Sequence, residues 1–125
     1  MTGALQEREF RFGTPGFGEA FYIYIMHELT CYRDYASREE EALSYWRSTS
    51  GFEVDYIVGD HTAIEVKAKE IIASSDLKSL NALAEENKLK RYLCVSLEIR
   101  RRQVGKVTIL PYREFLDSLW GGLFS

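Results

Sequence analysis

Apolar residues recur along this chain with two different periods. From Glu19 to Leu29 the sequence reads EAFYIYIMHEL, just after Pro15, Gly16 and Gly18. Phe21, Ile25 and Leu29 are spaced four apart, as are Tyr22 and Met26, which predicts a helix that is apolar over a wide arc. Three strand-like segments follow: Leu43–Arg47 (LSYWR), Phe52–Val58 (FEVDYIV) and Thr62–Ala68 (TAIEVKA). Ser50-Gly51 and Gly59-Asp60 break them at hairpin length, so a β-meander is expected. Ser75-Asp76 then caps a second helix that places Leu77, Leu80 and Leu83 or Ala84 on one side. Arg91–Leu97 (RYLCVSL) has the continuous apolar character of a buried strand. Val107–Leu110 is a further strand, stopped by Pro111. Tyr112–Trp120 is a last helix carrying Phe115, Leu116 and Leu119 on one face. The order α-β-β-β-α-β, then β-α, predicts an α/β domain with a mixed central sheet flanked by helices.

Length and composition narrow this picture. With 125 residues there is room for one domain, expected over 15–125, after a polar and loose segment over 1–14. Hydrophobic residues at 46% and charged residues at 28% suit a folded chain rather than a disordered one. Sixteen Lys and Arg face nineteen Asp and Glu, a net charge of −3. That excludes a binder whose affinity comes from a large overall basic excess, and leaves room for a local basic patch. The two cysteines, Cys31 and Cys94, form no CxxC, so a zinc ribbon is excluded and a reduced, cytoplasmic protein is expected. Ala20–Met26, the longest apolar-leaning stretch, is far below the roughly 20 residues that span a bilayer. Met1–Arg11 lacks the apolar run of a signal peptide. No membrane partner is expected, and no GxxxxGK[ST] or GxGxxG motif is present.

The chemistry concentrates in the meander. Side chains alternate faces along a strand. Phe52, Val54, Tyr56 and Val58 then share one face, and Glu53, Asp55 and Ile57 the other. In the next strand Ile64, Val66 and Ala68 oppose Ala63, Glu65 and Lys67. Antiparallel neighbours put same-face residues about 5 Å apart, so Asp55 and Glu65 are expected to meet, with Lys67 beside them. Two close carboxylates repel unless a positive group stands between them. Mg²⁺ meets that need with oxygen ligands, and Lys67 is suited to orient an attacking water or to stabilise charge on a phosphodiester. Glu19 supplies a third carboxylate if the first helix crosses this face. The competing reading makes Glu53, Asp55, Glu65 and Lys67 a solvated sheet face with cross-strand ion pairs, and Arg47 a structural partner of Glu53 or Asp55.

Asp55 followed by Ala63-Ile64-Glu65-Val66-Lys67 resembles the D…(D/E)xK signature of the PD-(D/E)XK, or restriction-endonuclease-like, superfamily, whose core is αβββαβ. Val54 stands where that signature often has proline. Tyr45-Trp46-Arg47-Ser48, Ser50-Gly51-Phe52-Glu53-Val54-Asp55-Tyr56-Ile57, Ile64-Glu65-Val66-Lys67, Ile109-Leu110-Pro111, Glu114-Phe115 and Leu119-Trp120 are similar to the C-terminal nuclease-like domain of a large family of prokaryotic AAA+ ATPases. That similarity runs from about Phe17 to Trp120. It implies a DNA nuclease using Mg²⁺ or Mn²⁺, with Asp55, Glu65 and Glu19 as metal ligands and Lys67 as the assisting cation. Members of that family carry a P-loop ATPase region before this domain. The chain is therefore expected to be an excised domain or a free-standing relative, with an ATPase domain as a partner. The alternative expectation is a catalytically silent module that binds nucleic acid or a partner.

Smaller signals complete the reading. Arg100, Arg101, Arg102 and Lys106 form a basic cluster between two predicted strands, a candidate contact for DNA phosphates or else a solvated loop. Lys88, Lys90 and Arg91 extend it. His27 and Cys31 have the i, i+4 spacing of two metal ligands but lack a second pair, so a partly buried histidine and an inert, buried cysteine are expected. His61 is expected to be exposed in a hairpin turn. Eight tyrosines and seven phenylalanines suit core and interface packing. A homodimer is expected on the ground that cutting two strands calls for two sites.

Overall fold

A computed structural model of the protein describes residues 16–35 and 43–122. The expected loose segment over 1–14 lies outside these residues. Helix α1 spans Phe17–Tyr35. Strands β1 (Leu43–Arg47), β2 (Glu53–Val58) and β3 (Thr62–Val66) follow. A single 3₁₀ turn (Ser74–Leu77) leads into α2 (Lys78–Ala84). Then come β4 (Arg91–Ser96), β5 (Arg102–Val104), β6 (Val107–Pro111) and α3 (Tyr112–Trp120). The six strands form one sheet in the order β1-β2-β3-β4-β6-β5. β1, β2 and β3 are a meander, β4 runs parallel to both β3 and β6, and β5 pairs antiparallel with β6. This is the mixed α/β architecture that the order of elements predicts.

Both faces of the sheet are covered. Phe21, Ile25, Leu29 and Tyr32 of α1 pack with Phe115 and Leu119 of α3 onto Tyr56, Val58, Ile64, Val66, Leu93 and Val95. The stripe on α1 continues to Tyr32, which explains why the helix outruns the Leu29 limit drawn from its first turns. On the opposite face, Leu77, Leu80 and Leu83 pack onto Ala63, Tyr92, Cys94, Val107 and Ile109. Every residue of β3 is consequently buried. The competing reading of a solvated face does not hold for β3, because helices cover both sides of it.

Two boundaries also differ from the sequence pattern. β3 stops at Val66 instead of Ala68, because beyond it the chain follows β4 alone, with Lys67 N–H donating to Val95 O at 2.9 Å and Leu97 N–H to Lys69 O at 2.9 Å. β5 is a strand that the pattern does not show. Its three residues are exposed or half-buried at the sheet edge, where no apolar alternation is required. The β5–β6 turn places Gly105 at φ 59°, with open space around its missing Cβ. Gly105→Ala is therefore expected to lower stability through backbone strain alone, by about 1 kcal/mol, read as a lower urea midpoint at unchanged m-value.

Candidate functional site

The site starts from an irregularity in β2. Between the pairs Ser44↔Ile57 and Trp46↔Val54, β1 advances two residues and β2 three. The extra residue falls at Asp55–Tyr56 and reverses the alternation before it. Val54 thus packs with Ile57 on the α2 side, while Tyr56 and Val58 face α1. The single apolar face expected for Phe52–Val58 is corrected by this bulge.

Pairing of β2 with β3 runs through Val58↔Thr62 and Ile57↔Ala63 to Tyr56↔Ile64. At the next step a side chain takes over: Val66 N–H donates to Asp55 Oδ2 at 2.8 Å. This bond fixes the Asp55 carboxylate across the end of β3. Glu65 sits one residue earlier and pairs in register with Cys94 of β4. It is only 6% exposed. Its Oε2 lies 3.3 Å from Lys67 Nζ, and its Oε1 is buried with no hydrogen-bond partner.

An unpartnered buried carboxylate oxygen is costly, and the protonation behaviour reflects that. Burial first, and then the negative charge of Asp55, push the Glu65 carboxyl up to about 7. Lys67 and the Asp55 N–H pull in the opposite direction. Asp55 is also held above the usual carboxylate range, again chiefly by burial, with the Val66 N–H and Lys67 opposing. Asp55 therefore makes ionisation of Glu65 harder, Glu53 does the same to Asp55, and one oxygen of Glu65 lacks a partner. A hard divalent cation answers both features, because the donors on offer are carboxylate oxygens. Asp55 and Glu65 are the residues that would hold it. The solvated-face reading does not fit a glutamate buried to this degree.

The structure brings Asp55, Glu65 and Lys67 together and leaves Glu19 apart from them. Among the described residues, no three His, Cys, Asp or Glu side chains stand together as a metal-binding group. Glu19 is exposed in the first turn of α1. Its neighbours on the helix surface, Gly18 and Tyr22, approach Ala68 and Tyr56, and Glu19 itself stays exposed. Arg47 pairs with Glu53 at 3.4 Å on the exposed rim of β1 and β2.

The predicted basic cluster is divided. Arg101 pairs with Glu114 at 2.7 Å. Arg102 opens β5, grips Glu98 with two bonds of 2.9 Å and donates to Ile72 O at 2.6 Å. Lys106 Nζ lies 3.4 Å from Ala84 O and Asn87 Oδ1. Arg100 is exposed. Arg102 is therefore a clasp within the fold rather than one member of a free loop. Ile72 N–H also donates to Glu98 Oε2, at 2.7 Å. Asp76, read from sequence only as a cap, does accept the Ala73 N–H and in addition holds Lys69 at 2.8 Å. These two clasps fix the loop that leaves Lys67, and Glu98 gave no sign of this in the sequence, since its partners lie 26 and 4 residues away.

His27 is exposed and Cys31 half-buried, against the burial expected, because both lie off the Phe21, Ile25 and Leu29 stripe of α1; His27 Nε2 and Cys31 Sγ are 3.4 Å apart. His61 is half-buried rather than exposed, because its Nδ1 bonds Thr62 Oγ1 at 2.8 Å. Neither cysteine is in a disulfide, and burial pushes the Cys94 thiol up to about 12, with Glu65 adding to the effect.

Residues 17–115, about four-fifths of the chain, match the family described as Domain of unknown function (DUF4143), and the chain belongs to that family. No curated protein and no solved structure matches it. No helix among the described residues is long and apolar enough to cross a membrane.

Proposed function

We propose that this chain is a divalent-metal-dependent nuclease-like domain of the PD-(D/E)XK type that hydrolyses phosphodiester bonds in DNA. We place it as a relative of the nuclease-like domain at the C-terminus of prokaryotic AAA+ ATPases, working in the cytoplasm. The observation that carries this reading is the buried, partnerless Oε1 of Glu65 beside a second carboxyl on the adjoining strand. Asp55 and Glu65 would hold Mg²⁺ or Mn²⁺. When bound, such a cation supplies charge neutralisation and Lewis-acid polarisation of a phosphodiester. The chain's own residues do the rest. Val66 N–H holds Asp55 in place. Lys67, one-third exposed, reaches from Glu65 toward solvent, where it is placed to orient a water or a phosphate oxygen. An ATPase domain and a second copy of the chain are the partners this reading calls for.

One observation favours the silent-module reading: Glu19 stands outside the acid pair, which leaves two carboxylates instead of three. Cleavage decides between the two. Plasmid, single-stranded and branched DNA are incubated with Mg²⁺ or Mn²⁺ and with EDTA, beside calorimetric Mn²⁺ titration. Metal-dependent nicking with Mn²⁺ binding below the millimolar range is expected. Intact DNA together with no such binding leaves the module reading. The titration also carries a pH signature. Because Glu65 titrates near 7 without metal, cation binding should release a proton, and apparent Mn²⁺ affinity should fall about tenfold per pH unit below that point.

A further inference from the structure

The end of the sheet formed by β4, β6 and β5 carries a groove of about 300 Å³. Lys90, Arg91, Arg101 and Lys106 line it, and no acid does. In a chain of net charge −3, Lys90, Arg91 and Lys106 around one concavity, with Arg101 paired to Glu114 at its rim, are a local reversal of sign.

The fold sets each of these cations in place. The N–H groups of Lys90 and Arg91 both donate to His61 O, at 2.9 and 3.0 Å, which pins the start of β4 against the β2–β3 turn. The Arg91 guanidinium is held 3.3 Å from Thr62 Oγ1. Lys106 occupies the tight turn after Gly105, and the oxygens within its reach, on Ala84 and Asn87, are uncharged. Arg101 reaches Glu114 from the rim. Gln103 and Thr108 are cross-strand partners in the groove, bonded at 2.7 Å.

We propose that this groove binds phosphates of a nucleic-acid strand. Phosphate is the ligand chemistry that a cation-rich, acid-free concavity fits. The choice of a strand over a small anion rests on the nuclease reading and on position. Lys106 precedes Val107 of β6, and Arg101 precedes Arg102, the register partner of Ile109, so the two cations stand four β6 positions apart. At about 3.3 Å per residue that is about 13 Å, wider than one phosphate group. Of the interface that the sequence suggests, Lys90, Arg91, Arg101 and Lys106 line the groove, and Lys88, Arg100 and Arg102 do not.

Fluorescence anisotropy of a labelled single-stranded 20-mer, measured in EDTA over a salt series, tests this. Each phosphate neutralised adds about 0.7 to the salt slope of log affinity on a single strand. Lys90→Gln with Lys106→Gln is expected to lower that slope by about 1.4, whereas Lys90→Arg with Lys106→Arg keeps it and Lys78→Gln, on α2, leaves it unchanged. An unaltered slope in the double glutamine variant, with its urea midpoint intact, overturns the groove. Equal loss in the arginine pair does so as well, since charge would not be what matters. Binding of ATP or inorganic phosphate without binding of the 20-mer assigns the groove to a small anion and overturns the strand. A strand bound through the groove yet uncut in Mg²⁺ defeats the nuclease reading alone. Cut DNA with an unchanged slope defeats the groove alone.

Discussion

Lys67→Ala is expected to lower plasmid cleavage about 10²–10³-fold, or roughly 3–4 kcal/mol, the loss typical of one positioned electrostatic group. Lys67 contributes no ligand oxygen, so the cation's donors survive the change. The structure adds a consequence that a simple list of ligands would miss. Lys67 Nζ, 3.3 Å from Glu65 Oε2, helps to keep that carboxylate ionised. Without it the Glu65 carboxyl rises above its value of about 7. Mn²⁺ affinity of Lys67→Ala should then weaken at pH 7 and recover at pH 9, while cleavage stays low at both. Asp55→Ala should abolish binding and cleavage at every pH, because a ligand and the partner of Val66 N–H are lost together. Asp55→Asn keeps an acceptor for that N–H and relieves the repulsion on Glu65, so its activity should match Asp55→Ala while its urea midpoint without metal equals or exceeds that of the wild type. Calorimetry at the two pH values beside the plasmid assay separates these effects. Cleavage by Lys67→Ala that returns at pH 9 would reduce Lys67 to a keeper of Glu65's charge.

Much of the fold was legible because its elements are short and differently periodic. Phe21, Ile25 and Leu29 marked α1, and Tyr112–Trp120 matches α3 to the residue. Gly59-Asp60 and Ser50-Gly51 marked the two turns of the meander. The faces of the strands were not legible. A sheet covered by helices on both sides buries valine equally well on either face, so Val54 carries no sign of the bulge that turns it toward α2. β5 escaped because Arg102 and Gln103 are polar residues at an edge, where nothing forces alternation.

The site divides in the same way. Asp55, Glu65 and Lys67 were found because two neighbouring strands in a tight meander fix their separation within narrow bounds. Glu19 lies on a helix whose rotation about its own axis the local sequence does not display. Rotation is set by where Phe21, Ile25 and Leu29 meet the sheet, and Glu19 is left exposed. The basic residues are regrouped for a related reason. A run of three arginines reads as one patch, yet Glu98 and Glu114 draw two of them into separate ion pairs, while Lys90 and Arg91 come to share a groove with Lys106 from 15 residues away.

Glu65→Gln should raise the stability of the metal-free chain at pH 8 by up to about 3 kcal/mol and leave it unchanged near pH 4. The sign follows from linkage. In the unfolded chain Glu65 titrates near 4.5, and in the fold near 7. The folded state therefore binds the proton more tightly. Below about 4.5 both states are protonated and there is no penalty. As pH rises from there to about 7, ionising a buried carboxyl costs progressively more, and above 7 the full cost is present. Glutamine is a neutral stand-in for the protonated acid, so it removes the cost only where wild type carries it. Mn²⁺ at pH 8 reverses the comparison: wild type should gain stability from the cation and Glu65→Gln should gain little, having lost a ligand charge. Urea midpoints at pH 4 and pH 8, with and without Mn²⁺, check all four values. If the two proteins unfold together at pH 8 without metal, Glu65 is better solvated than its burial indicates, and the unpartnered Oε1 no longer argues for a cation between the acids.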